Sequence, residues 1–74
     1  MVDPTVSRII SIKDLAPLMA ARRKALRLTQ QDVADAIGIS RRSVHAIEHG
    51  KPTAEVETVL RICAALGLII EARS

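Results

Sequence analysis

The middle of this chain carries start and stop signals for two short helices joined by a tight turn. The segment is LTQQDVADAIGISRRSVHAIEHGK, residues 28–51. Thr29 and Ser40 suit N-cap positions, because their hydroxyls accept hydrogen bonds from the free N–H groups of a first helical turn. Gly38 ends the first helix and Gly50 the second, since glycine takes the left-handed conformation without steric cost. These signals predict a helical domain built around a tight turn.

A further helix is predicted on each side of this segment, over residues 12–27 and residues 54–66. Pro17 lies beyond the first turn of the earlier helix, where it removes a backbone hydrogen bond and crowds the preceding turn. We therefore expect either a kink at Pro17 or a helix that properly begins near Asp14.

The last residues change character. Residues 68–72 are mostly apolar and β-branched, which predicts a short C-terminal strand. A strand needs a partner, and here that partner is either residues 6–10 or the same strand of a second subunit. We therefore expect an extended segment over residues 1–10, a helical domain over residues 11–67, and a dimerisation strand over residues 68–74 that includes Leu68, Ile69 and Ile70.

Composition restricts the kind of core this chain can build. No Phe, Tyr or Trp occurs among its 74 residues. An aliphatic core suits closely packed short helices better than a sandwich or barrel, and the lack of aromatic residues argues against binding single-stranded nucleic acid by stacking. A chain this short buries only about 60% of its unfolded surface, so we expect help from a partner subunit. The earlier helix is predicted to bury Leu15, Met19 and Leu26. The later helix carries an apolar set in which Cys63 is predicted to be a small core side chain; the set is Val56, Val59, Leu60, Ile62, Cys63 and Leu66.

Positive charge is concentrated around the central helices. Residues 22–51 hold seven of the 11 basic residues but only three of the eight acidic ones. Such a patch attracts phosphate and releases counterions, which supplies affinity without sequence preference. An ordinary solvated surface has the same composition, so charge alone does not decide between the two.

Several classes of protein fit the chain poorly. Cys63 is the only cysteine, which excludes an internal disulfide and argues against a thiolate zinc site. The longest apolar run, residues 66–70, is too short to span a bilayer, and no signal peptide is recognisable, so we expect a cytoplasmic protein. His45 and His49 have the spacing of a metal clip but no third ligand, and no catalytic motif occurs. We expect no metal, no cofactor and no enzymatic activity.

Eleven residues of the central segment fit one family pattern. The pattern is a Leu-Thr-Gln opening, an alanine in the first helix, a glycine in the turn and Ile-Glu-x-Gly-Lys at the close. The matching positions are Leu28, Thr29, Gln30, Ala34, Gly38, Ser40, Val44, Ile47, Glu48, Gly50 and Lys51. In this the chain resembles the helix-turn-helix of the Cro/phage-repressor (XRE) family. The resemblance implies an all-α, compact four-helix domain of the lambda-repressor type that binds double-stranded DNA.

The two ends of the chain resemble one subgroup of this family. The chain has an extended segment with Ser11 ahead of the first helix and a Leu-Ile-Ile-Glu strand straight after Gly67. In both features it is similar to antitoxins of the HipB type. That similarity implies a prokaryotic or phage homodimer, associated with the nucleoid, which binds an inverted-repeat operator in its own promoter and holds a kinase-like toxin. Two alternatives remain: a regulator of the same fold without a toxin, and a protein-interaction module that reuses the fold.

The resemblance also assigns roles to individual residues. The predicted base-reading residues are Arg41, Arg42, Ser40 and His45. The predicted phosphate-binding residues are Thr29, Gln30, Ser43, His49 and Lys51. An arginine side chain matches the O6 and N7 acceptors of guanine, so at least one arginine is expected to read a base; the alternative is that both bind phosphates only. Arg23 and Glu48 match an ion pair that joins the first helix to the end of the recognition helix.

Overall fold

Four helices make up the regular structure of the chain, as described for residues 8–72 by a computed structural model. In chain order they are α1 (Ile12–Ala25), α2 (Gln30–Ile37), α3 (Arg41–Glu48) and α4 (Val56–Ala65). α2 packs against both α3 and α4, and α1 packs against α3. The prediction of an all-α, four-helix fold is confirmed.

The turn between α2 and α3 follows from local hydrogen bonds. The Asp32 N–H donates to Thr29 Oγ1 at 3.0 Å, and the Thr29 N–H donates back to Asp32 Oδ2 at 2.8 Å. The Ser43 N–H donates to Ser40 Oγ at 3.1 Å. Gly38 has a φ of +74°, which lets the chain leave α2 and enter α3 within three residues. Both helix starts are thus fixed by residues next to them in the sequence.

α1 begins at the first residue of its predicted range, residues 12–27. Its first residue is Ile12, so a start near Asp14 is wrong, and the helix continues through Pro17. The reason is the Asp14 carboxylate, which accepts the Ile10 N–H at 2.9 Å and the Ser11 N–H at 3.0 Å. These bonds lower the pKa of Asp14 and fix the first turn before the proline is reached.

The core is aliphatic apart from one methionine and one cysteine. Its buried side chains are Leu15, Ala16, Met19, Val33, Ala34, Val44, Ile47, Val59, Ile62, Cys63 and Leu66. Burial raises the pKa of the Cys63 thiol. Leu26 was predicted to be buried but is 40% exposed, because α1 ends at Ala25 and Leu26 is its C-cap. On α4, Val56 and Leu60 are 72% and 46% exposed, since a helix turns only one stripe of side chains toward its core.

Arginine side chains close two helix ends. Arg22 Nε on α1 donates to the Leu66 carbonyl oxygen at 2.9 Å, just past the end of α4. Arg61 on α4 donates to the carbonyl oxygen of Ile37, the last residue of α2. The last carbonyls of a helix lack partners within the helix, so these bonds satisfy them and join helices that are distant in sequence. No helix of the described residues has the length and apolar character that a membrane span requires.

The predicted C-terminal strand is wrong for the described chain. Residues 68–72 form neither helix nor strand, and residues 8–10 form no strand either. The physical reason is that a strand exists only with a hydrogen-bonding partner, and residues 8–72 contain no other strand. Leu68 instead packs against the core, whereas Ile69 is 84% exposed and Ile70 is 50% exposed. The remainder of the two predicted terminal segments, residues 1–7 and 73–74, lies outside the described residues.

Candidate nucleic-acid interface

α3 has one buried face and one strongly basic face. Val44 and Ile47 are 0% and 4% exposed, and they hold the helix against the core. The exposed side carries Arg41, His45 and His49 at intervals of four residues, which places them in one stripe along the helix. Because its buried face holds α3 against the core, the opposite face presents a row of basic side chains to solvent.

Arg41 and Arg42 are the first two residues of α3, and both are exposed. Within residues 8–72 neither side chain forms a hydrogen bond or an ion pair. The first turn of α3 contains no acidic residue, so two cations stand at the positive end of the helix dipole. This placement opposes helix stability, and it leaves both guanidinium groups available to an anionic ligand.

The two histidines lie against each other at the far end of α3. Their ring centroids are 4.1 Å apart with planes tilted by 32°, and His49 Nδ1 lies 2.8 Å from the His45 carbonyl oxygen. Among the described residues no group of three His, Cys, Asp or Glu side chains is placed to hold a metal ion. The pair therefore extends the polar face of α3 toward its C-terminal end.

An ion pair joins α1 to the end of α3. Arg23 donates to Glu48 through Nε at 2.6 Å and through Nη2 at 3.0 Å, so the contact is bidentate. Arg23 Nη1 also donates to the Leu28 carbonyl oxygen at 2.8 Å. The two side chains are only 11% and 5% exposed. This geometry fixes the angle of α3 relative to α1, because the planar guanidinium constrains both partners.

The electrostatics of this pair favour its charged form. Burial by itself raises the pKa of Glu48, but hydrogen bonds from Arg23 and Gln30, and attraction to Arg23 and Lys24, lower it overall. The hydrogen bond to Glu48 raises the pKa of Arg23. Both groups are therefore ionised at neutral pH.

Gln30 is tied to the same carboxylate. Its Nε2 donates to Glu48 Oε1 at 3.2 Å, which links the first residue of α2 to the last residue of α3. No sequence pattern predicts this contact, because the two residues are 18 positions apart. Gln30 is therefore part of the anchor of α3 as well as a predicted phosphate-binding residue.

The other predicted phosphate-binding residues lie around α3. Ser43 and Lys51 line one open cleft between α3 and the start of α4. His49 lies on the other side of the helix, next to α1. Thr29 is exposed at the start of α2, where its oxygen accepts the Asp32 N–H. Ser40, a predicted base-reading residue, is also exposed, and its hydroxyl lies 2.9 Å from that of Ser43.

Comparison with known proteins identifies similar sequences. A helix-turn-helix family profile matches residues 19–69, a span that includes α2, α3 and α4. An uncharacterized HTH-type transcriptional regulator of Sinorhizobium fredii is 34% identical over 64 residues, which are 86% of this chain and 84% of the relative. An uncharacterized HTH-type transcriptional regulator of Methanothermobacter thermautotrophicus is 36% identical over 50 residues, or 68% of this chain and 72% of the relative.

Solved structures with a similar fold include HipB. The HipB chain of the HipB-O4 20mer complex matches with a TM-score of 0.84 at 25% identity, covering 93% of this chain and 97% of that one. The HipA-HipB-O2-O3 complex gives a TM-score of 0.85 at 25% identity, with 93% and 97% covered. These matches confirm the resemblance to HipB that the ends of the sequence indicated.

The ion pair leads to a prediction about acid stability. Glu48→Gln should lower the free energy of unfolding by about 3 kcal/mol at pH 7, because it leaves the Arg23 guanidinium largely buried without its counterion. The folded-state pKa of Glu48 lies below its ordinary value of 4.5. The pair therefore stabilises the native chain fully above pH 4.5 and loses this contribution as the pH falls through the lower, folded-state value.

Urea unfolding of the native chain and of Glu48→Gln at pH 7 and pH 3 measures both effects, and the gap between the two proteins should shrink in acid. Glu57→Gln is the matched control, since Glu57 is exposed on α4 and its loss should change the stability by less than about 0.5 kcal/mol. Equal effects of the two substitutions at pH 7 would contradict the role of Glu48.

Proposed function

This chain belongs to the helix-turn-helix family, and from that premise we propose that it is a homodimeric repressor that reads an inverted-repeat operator in double-stranded DNA. We further propose that it is the antitoxin of a toxin-antitoxin operon, acting in the cytoplasm at the nucleoid. It represses its own promoter and neutralises a kinase-like toxin.

The observation that carries the DNA-binding proposal is the state of Arg41 and Arg42. They are exposed, have no partner within residues 8–72, and stand where the helix dipole disfavours cations. A surface that only needs to be soluble has no reason to place two arginines there. When DNA is bound, the two guanidinium groups contact either guanine acceptors or phosphates. These contacts offset the cost of placing two cations at the positive end of the helix dipole.

The proposed division of work follows the geometry of α3. The first turn, with Ser40, Arg41 and Arg42, enters the major groove, and at least one arginine donates to guanine O6 and N7. His45 lies one turn further along the same exposed stripe and meets the next base or the edge of the groove. Because the Arg23–Glu48 pair holds α3 at a fixed angle, these side chains reach the bases together.

Phosphate contacts surround the base-reading stripe. Ser43 and Lys51 serve one side of α3 and His49 the other, as their placement supports. Thr29 and Gln30 contact phosphate at the N-terminal end of α2. The Thr29 oxygen caps the helix and its hydroxyl also hydrogen-bonds the Asp32 carboxylate, so a phosphate contact would replace that second bond. Gln30 has a second amide proton beside the one it gives to Glu48.

An exposed apolar surface supports the dimer. Four large apolar side chains in the C-terminal part of the chain are about half exposed or more in the single chain. They are Val56 and Leu60 on α4, and Ile69 and Ile70 after it. Exposed apolar surface of this kind marks an interaction site. A second copy that covers it would place two recognition helices about 34 Å apart, in successive major grooves on one face of the duplex.

The antitoxin role is the finer part of the proposal. It is supported by the similarity to HipB, which has been solved in a complex that contains HipA. The second candidate is a regulator with no toxin, and the similarity to relatives described only as HTH-type transcriptional regulators favours it. A protein-interaction module is the third candidate, but it leaves Arg41 and Arg42 without a ligand.

The arginines provide the main test of DNA reading. Arg41→Ala combined with Arg42→Ala should abolish preference for the operator, because the base contacts are lost, while the unfolding midpoint is retained or rises. The operator is first defined by selecting bound duplexes from a random pool, and binding is then measured by fluorescence anisotropy across salt concentrations. Affinity of the native chain should fall steeply with salt, since each half-site neutralises several phosphates.

A lysine variant separates base reading from phosphate binding. Arg41→Lys with Arg42→Lys keeps both charges but loses the bidentate fork. If an arginine reads guanine, this variant retains affinity for arbitrary duplexes and loses selectivity. Unchanged selectivity in the alanine variant would contradict the proposed DNA reading.

The dimer surface makes a second prediction. Ile69→Asp with Ile70→Asp should shift the chain toward monomer in sedimentation experiments, because it places charges in an apolar interface. Val56→Asp with Leu60→Asp tests whether α4 contributes as well. Point variants are sharper than deletion of residues 68–74, since Leu68 also packs against the core. If both double variants remain fully dimeric, this surface is not the interface.

Co-expression tests the antitoxin role. The product of the gene adjoining that of this chain should arrest growth by itself, and the chain should relieve the arrest and co-purify with that product. The Arg41→Ala, Arg42→Ala variant should relieve the arrest as well as the native chain does, because those arginines contact DNA. If the product of the adjoining gene neither arrests growth nor binds the chain, the chain is a regulator without a toxin.

A further inference from the structure

One arginine has a backbone conformation that normally requires glycine. Arg27 has a φ of +58°, in the left-handed region. The other residues with positive φ in the described part of the chain are Gly38, Gly50 and Gly67, with φ of +74°, +78° and +70°. A β-carbon is disfavoured in this conformation, because it comes too close to the neighbouring carbonyl oxygen.

The end of α1 imposes this conformation on Arg27. The Arg27 N–H donates to the Lys24 carbonyl at 2.9 Å, and the Leu28 N–H donates to the Arg23 carbonyl at 3.1 Å. These two bonds form the Schellman ending of a helix, whose left-handed position is most often occupied by glycine. Folding alone therefore favours glycine at residue 27, and the presence of an arginine there calls for another reason.

That reason does not lie within the described fold. The Arg27 side chain is exposed and makes no hydrogen bond or ion pair among residues 8–72. The acidic groups of the adjoining elements are already engaged, since Asp32 accepts from Thr29 and Glu48 accepts from Arg23. Arg27 thus presents a free guanidinium to solvent.

The turn that holds Arg27 is anchored beside the recognition helix. The Leu28 carbonyl accepts from Arg23, which also binds Glu48 at the end of α3. Two residues after Arg27, Thr29 opens α2, whose N-terminal end carries the positive end of a helix dipole. Lys24 lies one turn earlier on α1 and is exposed too. Arg27 therefore adds an exposed cation to the turn that leads into α2.

We propose that Arg27 binds a backbone phosphate of the DNA at the flank of each half-site, outside the groove that α3 enters. The proposal rests on the DNA-binding function proposed above and adds a contact that the family pattern does not assign. We favour a phosphate over an acidic protein surface, because Arg27 lies two residues before the N-cap of α2 and Lys24 is exposed three residues before Arg27, so positive groups close in sequence can meet successive phosphates of one backbone.

Substitutions at residue 27 separate the backbone effect from the charge effect. Arg27→Gly and Arg27→Asn both accept the left-handed conformation and remove the charge. Each should leave the thermal unfolding midpoint unchanged or raise it by a few degrees. Each should also weaken DNA binding by about tenfold at 0.1 M salt and lower the slope of log K against log salt by about one per protomer. Arg27→Lys keeps the charge and should retain most of the affinity.

The probes are the selected operator and a duplex of arbitrary sequence and equal length. A phosphate contact predicts the same fold loss on both, since phosphates carry no sequence information. The inference is overturned if Arg27→Gly binds both duplexes with the native affinity and salt slope, or if it loses only dimerisation or toxin binding. Failure of the native chain to bind any duplex would instead overturn the proposed function, so the two failures are distinguishable.

Discussion

The orientation of the recognition helix depends on one carboxylate. Glu48 accepts three hydrogen bonds, two from Arg23 on α1 and one from Gln30 on α2, and Arg23 also binds the carbonyl of Leu28 in the turn between those helices. Four segments of the chain therefore meet at this ion pair. A core without aromatic side chains and with short helices allows several packing angles at similar energy, whereas a bidentate ion pair allows few. The ion pair is thus what converts a helical domain into a surface with fixed geometry.

Six arginines divide into two groups by what they contact. Arg22 and Arg61 bind carbonyl oxygens past or at the ends of helices, and Arg23 holds Glu48, so these three serve the fold. Arg27, Arg41 and Arg42 have no partner within residues 8–72, and each stands where the backbone or the helix dipole disfavours it. Residues that oppose local stability without a compensating contact in the chain indicate a ligand outside it. An anionic ligand, such as the proposed DNA, matches the charge of all three residues.

Size explains why the apolar surface matters as much as the basic one. A domain of this length has little buried area, and here part of the apolar content stays outside the core, on α4 and after it. In the proposed dimer, a second copy that covers this surface would add the missing burial and would also double the number of phosphate contacts on one duplex. Stability and DNA affinity would then be coupled through the same association.

The sequence by itself determined the central helices, because the signals that start and stop them act between neighbours: Thr29 with Asp32, Ser40 with Ser43, and the glycines at the turns. It also indicated the four-helix fold, through a motif whose residues lie close together in the chain. It did not determine which apolar side chains of α4 are buried, how Gln30 reaches Glu48, or that residues 68–72 lack a strand partner in the described chain. Those outcomes were decided by tertiary structure, because each depends on groups that are distant in sequence and meet only after the helices have packed.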